Sequence, residues 1–119
     1  MSYGVAVGKG DVAEISKYLT EGLEGLHTSS VYKNVSKIGD EDVVLQIFER
    51  YYHRNKERAS LTVLISGKDD EVRVEVAASG GGGGMLFRIS LGAHDDFASR
   101  AGELLQARDF KIISSSSRN

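Results

Sequence analysis

Residues 50–58, RYYHRNKER, put two tyrosines, a histidine and several cations side by side. Tyr51, Tyr52 and His53 together could line a small-molecule pocket or carry a proton. Arg50 and its basic neighbours could hold phosphates while the rings stack on bases. A second stretch, GKGDVA (8–13), follows an apolar run and opens a helical pattern. It has the form G-x-G-x-x-A, in which glycines let a backbone approach a pyrophosphate at a helix N-terminus. Asp11 opposes that use, because its carboxylate would face the phosphate. A polar strand and hairpins follow, instead of a buried parallel strand ending in an acid. A tight strand-to-helix turn explains these residues, and no cofactor is expected.

The third stretch is SGGGGGMLF, in which Gly80 to Gly84 are consecutive. A phosphate loop would lead into a helix, usually through a Lys-Ser/Thr pair. Met85 and an alternating pattern follow instead. A linker would separate two domains, but both flanks read as one meander. Two readings stay open: a hairpin connection with exposed glycines, or a segment that another backbone passes too closely for side chains. Such a run is costly in chain entropy for a simple turn. Gly82, at its centre, is therefore a candidate contact point.

The remaining chemistry-bearing residues are weaker. His27, His53 and His94 show no metal-ligand spacing, and HDD (94–96) reads as the start of a helix, so no metal is expected. There is no G-x-S-x-G elbow. With no cysteine, disulfides, thiolate zinc and a cysteine nucleophile are all excluded. The acidic pairs of GDED (39–42) and GKDD (67–70) sit in turn sequences. No catalytic residue is assigned.

The elements that must position these residues follow from periodicity. YGVAVG (3–8) reads as a strand. Asp11, with Glu14 three residues on, forms a capping box for a helix over 11–22, whose stripe is Val12, Ile15, Leu19 and Leu23. SSVYKNVSKI (29–38) alternates without a purely apolar side and reads as an edge strand guarded by lysine. VVLQIFERYYHR (43–54), ASLTVLIS (59–66) and EVRVEVAAS (71–79) are strands joined by polar turns. MLFRISL (85–91) alternates again. AHDDFASRAGELLQAR reads as a second helix, with Phe97, Ala101, Leu104 and Leu105 apolar. DFKII (109–113) is a last short strand or a docked tail. The fold class is α+β: a two-layer sandwich of an antiparallel meander with two helices on one face, in the order β-α-β-β-β-β-α. That order is similar to one repeat of the TATA-binding-protein fold or to a trimmed helix-grip fold, and it carries no function. Residues 1–113 form a single domain and 114–119 a flexible tail.

If Leu61, Val63, Ile65, Val72, Val74 and Val76 face the helices, Ser60, Thr62, Leu64, Arg73, Glu75, Ala77 and Arg88 lie on the open face. For the long strand we expect Leu45 and Ile47 in the core, with Gln46, Phe48, Arg50 and Tyr52 pointing out. Arginines with aromatics suit an interface centre. The net charge of −2 disfavours nucleic acid and anionic membranes. No apolar run reaches the roughly 18–20 residues of a membrane helix. The first residues do not read as a signal peptide, so a cytoplasmic location is expected.

The segments FERYYHRNKERASLTVLISG and AASGGGGGMLFRISLGAHDDF, within residues 43–105, resemble a family of short bacterial proteins, chiefly from Firmicutes, known only as a domain of unknown function. The resemblance implies a bacterial cytosolic protein of about one domain and no particular activity. The expected function is non-enzymatic: self-association, most simply as a dimer, or binding of a protein partner through the open sheet face. The interface or ligand candidates are Phe48, Arg50, Tyr51, Tyr52, His53, Arg73, Arg88 and Gly82. The alternative is a small-molecule-binding protein or enzyme with a pocket near Tyr51–His53 and the glycine run.

Overall fold

The computed structural model describes residues 2–25, 28–52, 56–80 and 97–116. The elements run β1 (Ser2–Lys9), α1 (Val12–Leu23), β2 (Thr28–Ile38), β3 (Glu41–Tyr52), β4 (Glu57–Lys68), β5 (Glu71–Gly80), α2 (Phe97–Gln106) and β6 (Lys111–Ser115). The strands form one antiparallel sheet in the order β2-β3-β4-β5-β1-β6. The expected α+β meander is present, and so is a sixth strand, but it runs Lys111–Ser115: Asp109 and Phe110 precede it, and Ser114 and Ser115, expected in a flexible tail, pair with Val5 and Gly4 of β1. The stretch 85–91 lies outside the described residues.

Short turns make the meander. The β2–β3 hairpin needs only Gly39 and Asp40, and the β4–β5 hairpin only Asp69 and Asp70, with positive φ at Gly39 (59°) and Asp69 (60°). These left-handed residues match the twist of the flanking strands. The sheet then brings β1 back between β5 and β6.

Helix α1 starts as its cap predicts. The Asp11 carboxylate accepts the Glu14 N–H at 3.1 Å. The Glu14 carboxylate does not complete a local box: Arg108, beyond α2, holds it at 2.6 Å. Val12, Ile15, Leu19 and Leu23 are buried against the sheet, as are Ala101 and Leu105 of α2. Phe110, just before β6, lies on Gly8 of β1, where an added Cβ would stand 2.6 Å from its ring. A bare backbone there lets a large ring close the end of the core.

Strand β3 faces opposite to expectation. Opposed residues on neighbouring antiparallel strands share a face. The register sets Phe48 opposite Leu61, Gln46 opposite Val63 and Val44 opposite Ile65. Phe48 is 0% exposed and Gln46 is 1% exposed, while Leu45 and Ile47 are half-buried on the open face. Phe48 fills more core volume than a leucine could, and Gln46 is tolerated because helix α1 satisfies its amide. The Ser16 hydroxyl donates to Gln46 Oε1 at 2.6 Å, and Gln46 Nε2 donates to Thr20 Oγ1 at 2.8 Å. Such a paired polar group avoids the penalty of burial unmade.

Candidate functional site

The open face is built from the odd or even residues that the register lines up. One row runs Tyr32, Ile47, Thr62, Ala77 and Tyr3 across five strands. The next runs Asn34, Leu45, Leu64, Glu75 and Val5, and a third Ser36, Val43, Ser66, Arg73 and Val7. The patch is apolar at its middle and has a tyrosine at either side. Tyr32 is 48% exposed, Tyr3 43% and Leu64 38%. Both described helices lie on the other face.

Polar groups bound this patch at both ends. Towards the start of β4, Arg58 lies 3.7 Å from Glu49, its guanidinium 5.7 Å from the Tyr51 ring centre, and the Ser60 and Ser79 hydroxyls meet at 3.2 Å. Towards the short turns, Lys9 stands 3.8 Å from both Asp70 and Glu71, and Lys68 3.5 Å from Asp40. There the surface opens into a cleft of about 720 Å³ that reaches Ser66 and Arg73. Each cation in that cleft has a carboxylate neighbour, since Arg73 lies 3.9 Å from Glu75. An apolar centre with a charged rim is the layout of a protein interface.

The sequence candidates separate in space. Phe48 is in the core and is unavailable to a partner, a consequence of the β3 register. Arg50 and Tyr52 share the helix-side face, with the Arg50 guanidinium 5.0 Å from the Tyr52 ring centre and Tyr52 packed against the core. Tyr51 points to the open face. Successive strand residues alternate in this way, so Tyr51 and Tyr52 do not converge. Arg73 is also on the open face but at its other end. Tyr51 pairs with Arg58, and Arg73 with Ser66, eight residues along β4 (66 − 58). That spacing is roughly 26 Å at a strand's rise per residue. His53, Gly82 and Arg88 lie outside the described residues.

Gly80 is the described member of the glycine run. It ends β5 opposite Ala59 with φ at +87°, and an added Cβ would meet the Arg58 carbonyl oxygen at 2.5 Å. The first glycine thus combines both readings: it is exposed, yet a backbone passes it too closely for a side chain. At GKGDVA, Asp11 takes the Glu14 N–H, and Gly10 N–H donates to the Asp70 carbonyl at 2.9 Å. The turn serves the strand-to-helix connection.

Sequence reasoning missed two contacts between elements. One is the Ser16–Gln46–Thr20 clamp, signalled only by two hydroxyls four residues apart beside the apolar stripe of α1. The other joins α1 to the end of α2. The Tyr18 hydroxyl donates to the Leu104 carbonyl at 2.6 Å, and the Arg108 guanidinium lies 4.6 Å from the Tyr18 ring centre. Arg108 also draws the Glu14 carboxyl below its ordinary value of 4.5, chiefly through their hydrogen bond. No helix among the described residues is long and apolar enough to cross a membrane. Among the same residues, no three His, Asp or Glu side chains gather as a metal site would need.

Residues 1–108 match a protein family, DUF6054, described as a family of unknown function, and the chain belongs to it. No curated protein and no solved structure matches the chain.

Proposed function

We propose that this member of DUF6054 is a non-enzymatic domain that self-associates as a dimer through the open face of its sheet. The observation that carries this reading is the Tyr32–Ile47–Thr62–Ala77–Tyr3 row with Leu45 and Leu64 beside it. Five strands at about 4.8 Å spacing and three rows at about 7 Å give a flat area of roughly 500 Å². Side-chain relief raises the accessible area, so two such faces bury on the order of 1,000 Å², the lower bound for a specific interface. Two sheets stacked face to face at about 10 Å would bury both apolar centres in one layer. The likeness of residues 43–105 to short bacterial proteins supports a bacterial cytoplasmic setting.

Sedimentation equilibrium tests the proposal. A dimer is expected at tens of micromolar, with melting temperature rising with protein concentration. Leu64→Lys should give a monomer with an unchanged circular dichroism spectrum, because Leu64 is 38% exposed and its replacement leaves the core intact. A wild-type chain that stays monomeric at that concentration would sink the reading. The rival reading, a pocket near Tyr51–His53 and the glycine run, predicts instead that a phosphate or nucleotide raises the melting temperature at fixed protein concentration.

A further inference from the structure

The long outer edge of the sheet presents a different surface. Strand β2 is 11 residues long and, among the described strands, pairs with β3 alone. Beyond Thr28, whose backbone is bridged to Gly25, its outer side presents backbone donors and acceptors that no described strand meets. Most of the strongly exposed large apolar side chains among the described residues also lie on it: Val31, Tyr32, Val35 and Ile38, the last two 65% and 68% exposed. That concentration on one edge marks a place where another chain can add.

A second copy is a poor occupant. Opposed residues must point to the same face, so a two-fold pairing of β2 with itself is centred on a residue. Centred on Lys33 or Lys37, a lysine meets its own copy; on Val35, Lys33 meets Lys37. Centred on Tyr32, Asn34 or Ser36, lysines stand diagonally, still within reach of long side chains. The strand also carries a bulge at Val31, between Ser30 and Tyr32, which bends it away from a flat self-pairing. Its residues 28–38 hold two lysines and no acid, although the whole chain carries −2. Lys33, Val35 and Lys37 share one side, and Lys37 is met only at the surface by Asp42, at 3.0 Å.

We propose that β2 accepts an extended acidic segment of another protein as an added strand. Carboxylates of that segment oppose Lys33 and Lys37, and its apolar residues cover Tyr32 and Ile38. This inference rests on a separate feature, the β2 edge backbone with Lys33 and Lys37 on the helix-side face, and shares only Tyr32 with the row proposed for dimerisation through the open face.

The test uses the full chain and a capped ten-residue peptide of alternating glutamate and valine, followed by fluorescence anisotropy and by hydrogen exchange. Saturable binding is expected, with slowed exchange of the outward β2 amides. A lysine-for-glutamate peptide should bind at least tenfold more weakly. Lys33→Ser/Lys37→Ser should lose the acidic peptide at unchanged melting temperature, and Lys33→Glu/Lys37→Glu should reverse the preference. A peptide N-methylated at alternate residues should not bind, since it cannot complete a ladder. Equal binding of both charge types, retention by the serine variant, or no binding at all would overturn the proposal. So would β2 amides that slow with protein concentration alone, which would make a second copy the occupant. Unpaired edge amides exchange from the native state, so this readout does not follow the face-to-face dimer.

Discussion

Gly80 at the end of β5 stands so close to Arg58 of β4 that a Cβ on the glycine would lie 2.5 Å from the arginine's carbonyl oxygen. The same glycine has φ at +87°. Either condition alone disfavours a side chain, and together they make Gly80→Ala costly, by about 2–3 kcal/mol. Gly39→Ala is the control: its φ is +59° and nothing lies within 4 Å of an added Cβ. It should cost about 1 kcal/mol. Urea unfolding of the two variants checks the difference. Equal losses would mean that backbone conformation alone matters at Gly80.

The buried clamp on β3 makes a prediction that distinguishes a missing partner from a missing group. Ser16→Ala removes the hydroxyl 2.6 Å from Gln46 Oε1 and leaves that oxygen buried and unmet. A loss of about 1–3 kcal/mol is expected. Adding Gln46→Met replaces the stranded amide by an apolar side chain of similar length. The double variant should then recover at least half of the loss, a coupling that a double-mutant cycle measures directly. Additive losses would show that the hydrogen bond is not what the site requires.

Much of the fold is legible in the chain because the signals are local. Asp11 with a stripe at Val12, Ile15, Leu19 and Leu23 specifies α1, and alternating valines specify β5. The turns fall within GDED and GKDD as read, but are shorter: Glu41 and Asp42 already belong to β3 and Gly67 and Lys68 still to β4, leaving Gly39–Asp40 and Asp69–Asp70. What failed was the facing of β3. Val43 to Phe48 offers apolar residues on both sides, so alternation could not decide between Leu45 with Ile47 and Val44 with Phe48. The deciding facts were long-range: Phe48 opposite Leu61, and an amide partner for Gln46 thirty residues away in α1. The candidate surface inherits that error. Phe48 leaves it, Ile47 and Leu45 join it, and its apolar character becomes stronger than the sequence reading allowed.

The Glu14–Arg108 pair, at 2.6 Å, ties the first turn of α1 to the chain beyond α2. Arg108 lowers the Glu14 pKa from its ordinary 4.5. A carboxyl depressed in the folded state contributes stability above its unfolded value, and that contribution is lost as pH falls through the folded value. The pair's share should therefore be complete above about pH 4.5, decline as pH falls below that, and be gone once pH has passed the lowered folded value. Both side chains are substantially exposed, so the effect is small and weakened by salt. Glu14→Gln should lower the melting temperature slightly at pH 7 and leave it unchanged near pH 3, so that its fall from pH 5 towards pH 3 is flatter than the wild type's. A carbon-detected titration of Glu14 that gave an undisplaced midpoint would remove the basis for this expectation.

The orientation of β3 can be checked without a structure. Phe48 is 0% exposed beneath the helices, whereas its neighbour Ile47 is half-buried in the open face. Phe48→Ala should cost about 3–5 kcal/mol, the transfer energy of the ring plus the cavity it leaves. Ile47→Ala should cost closer to 1 kcal/mol when measured at sub-micromolar concentration, where the proposed dimer is dissociated. At high concentration the order changes in kind, though not in size. Ile47→Ala should weaken association measured by sedimentation, and its stability should stop rising with concentration. Phe48→Ala should lose stability at every concentration. If Ile47→Ala proved the more damaging in the dilute protein, the strand would face the other way, and the open-face patch built on Ile47 and Leu45 would fall with it.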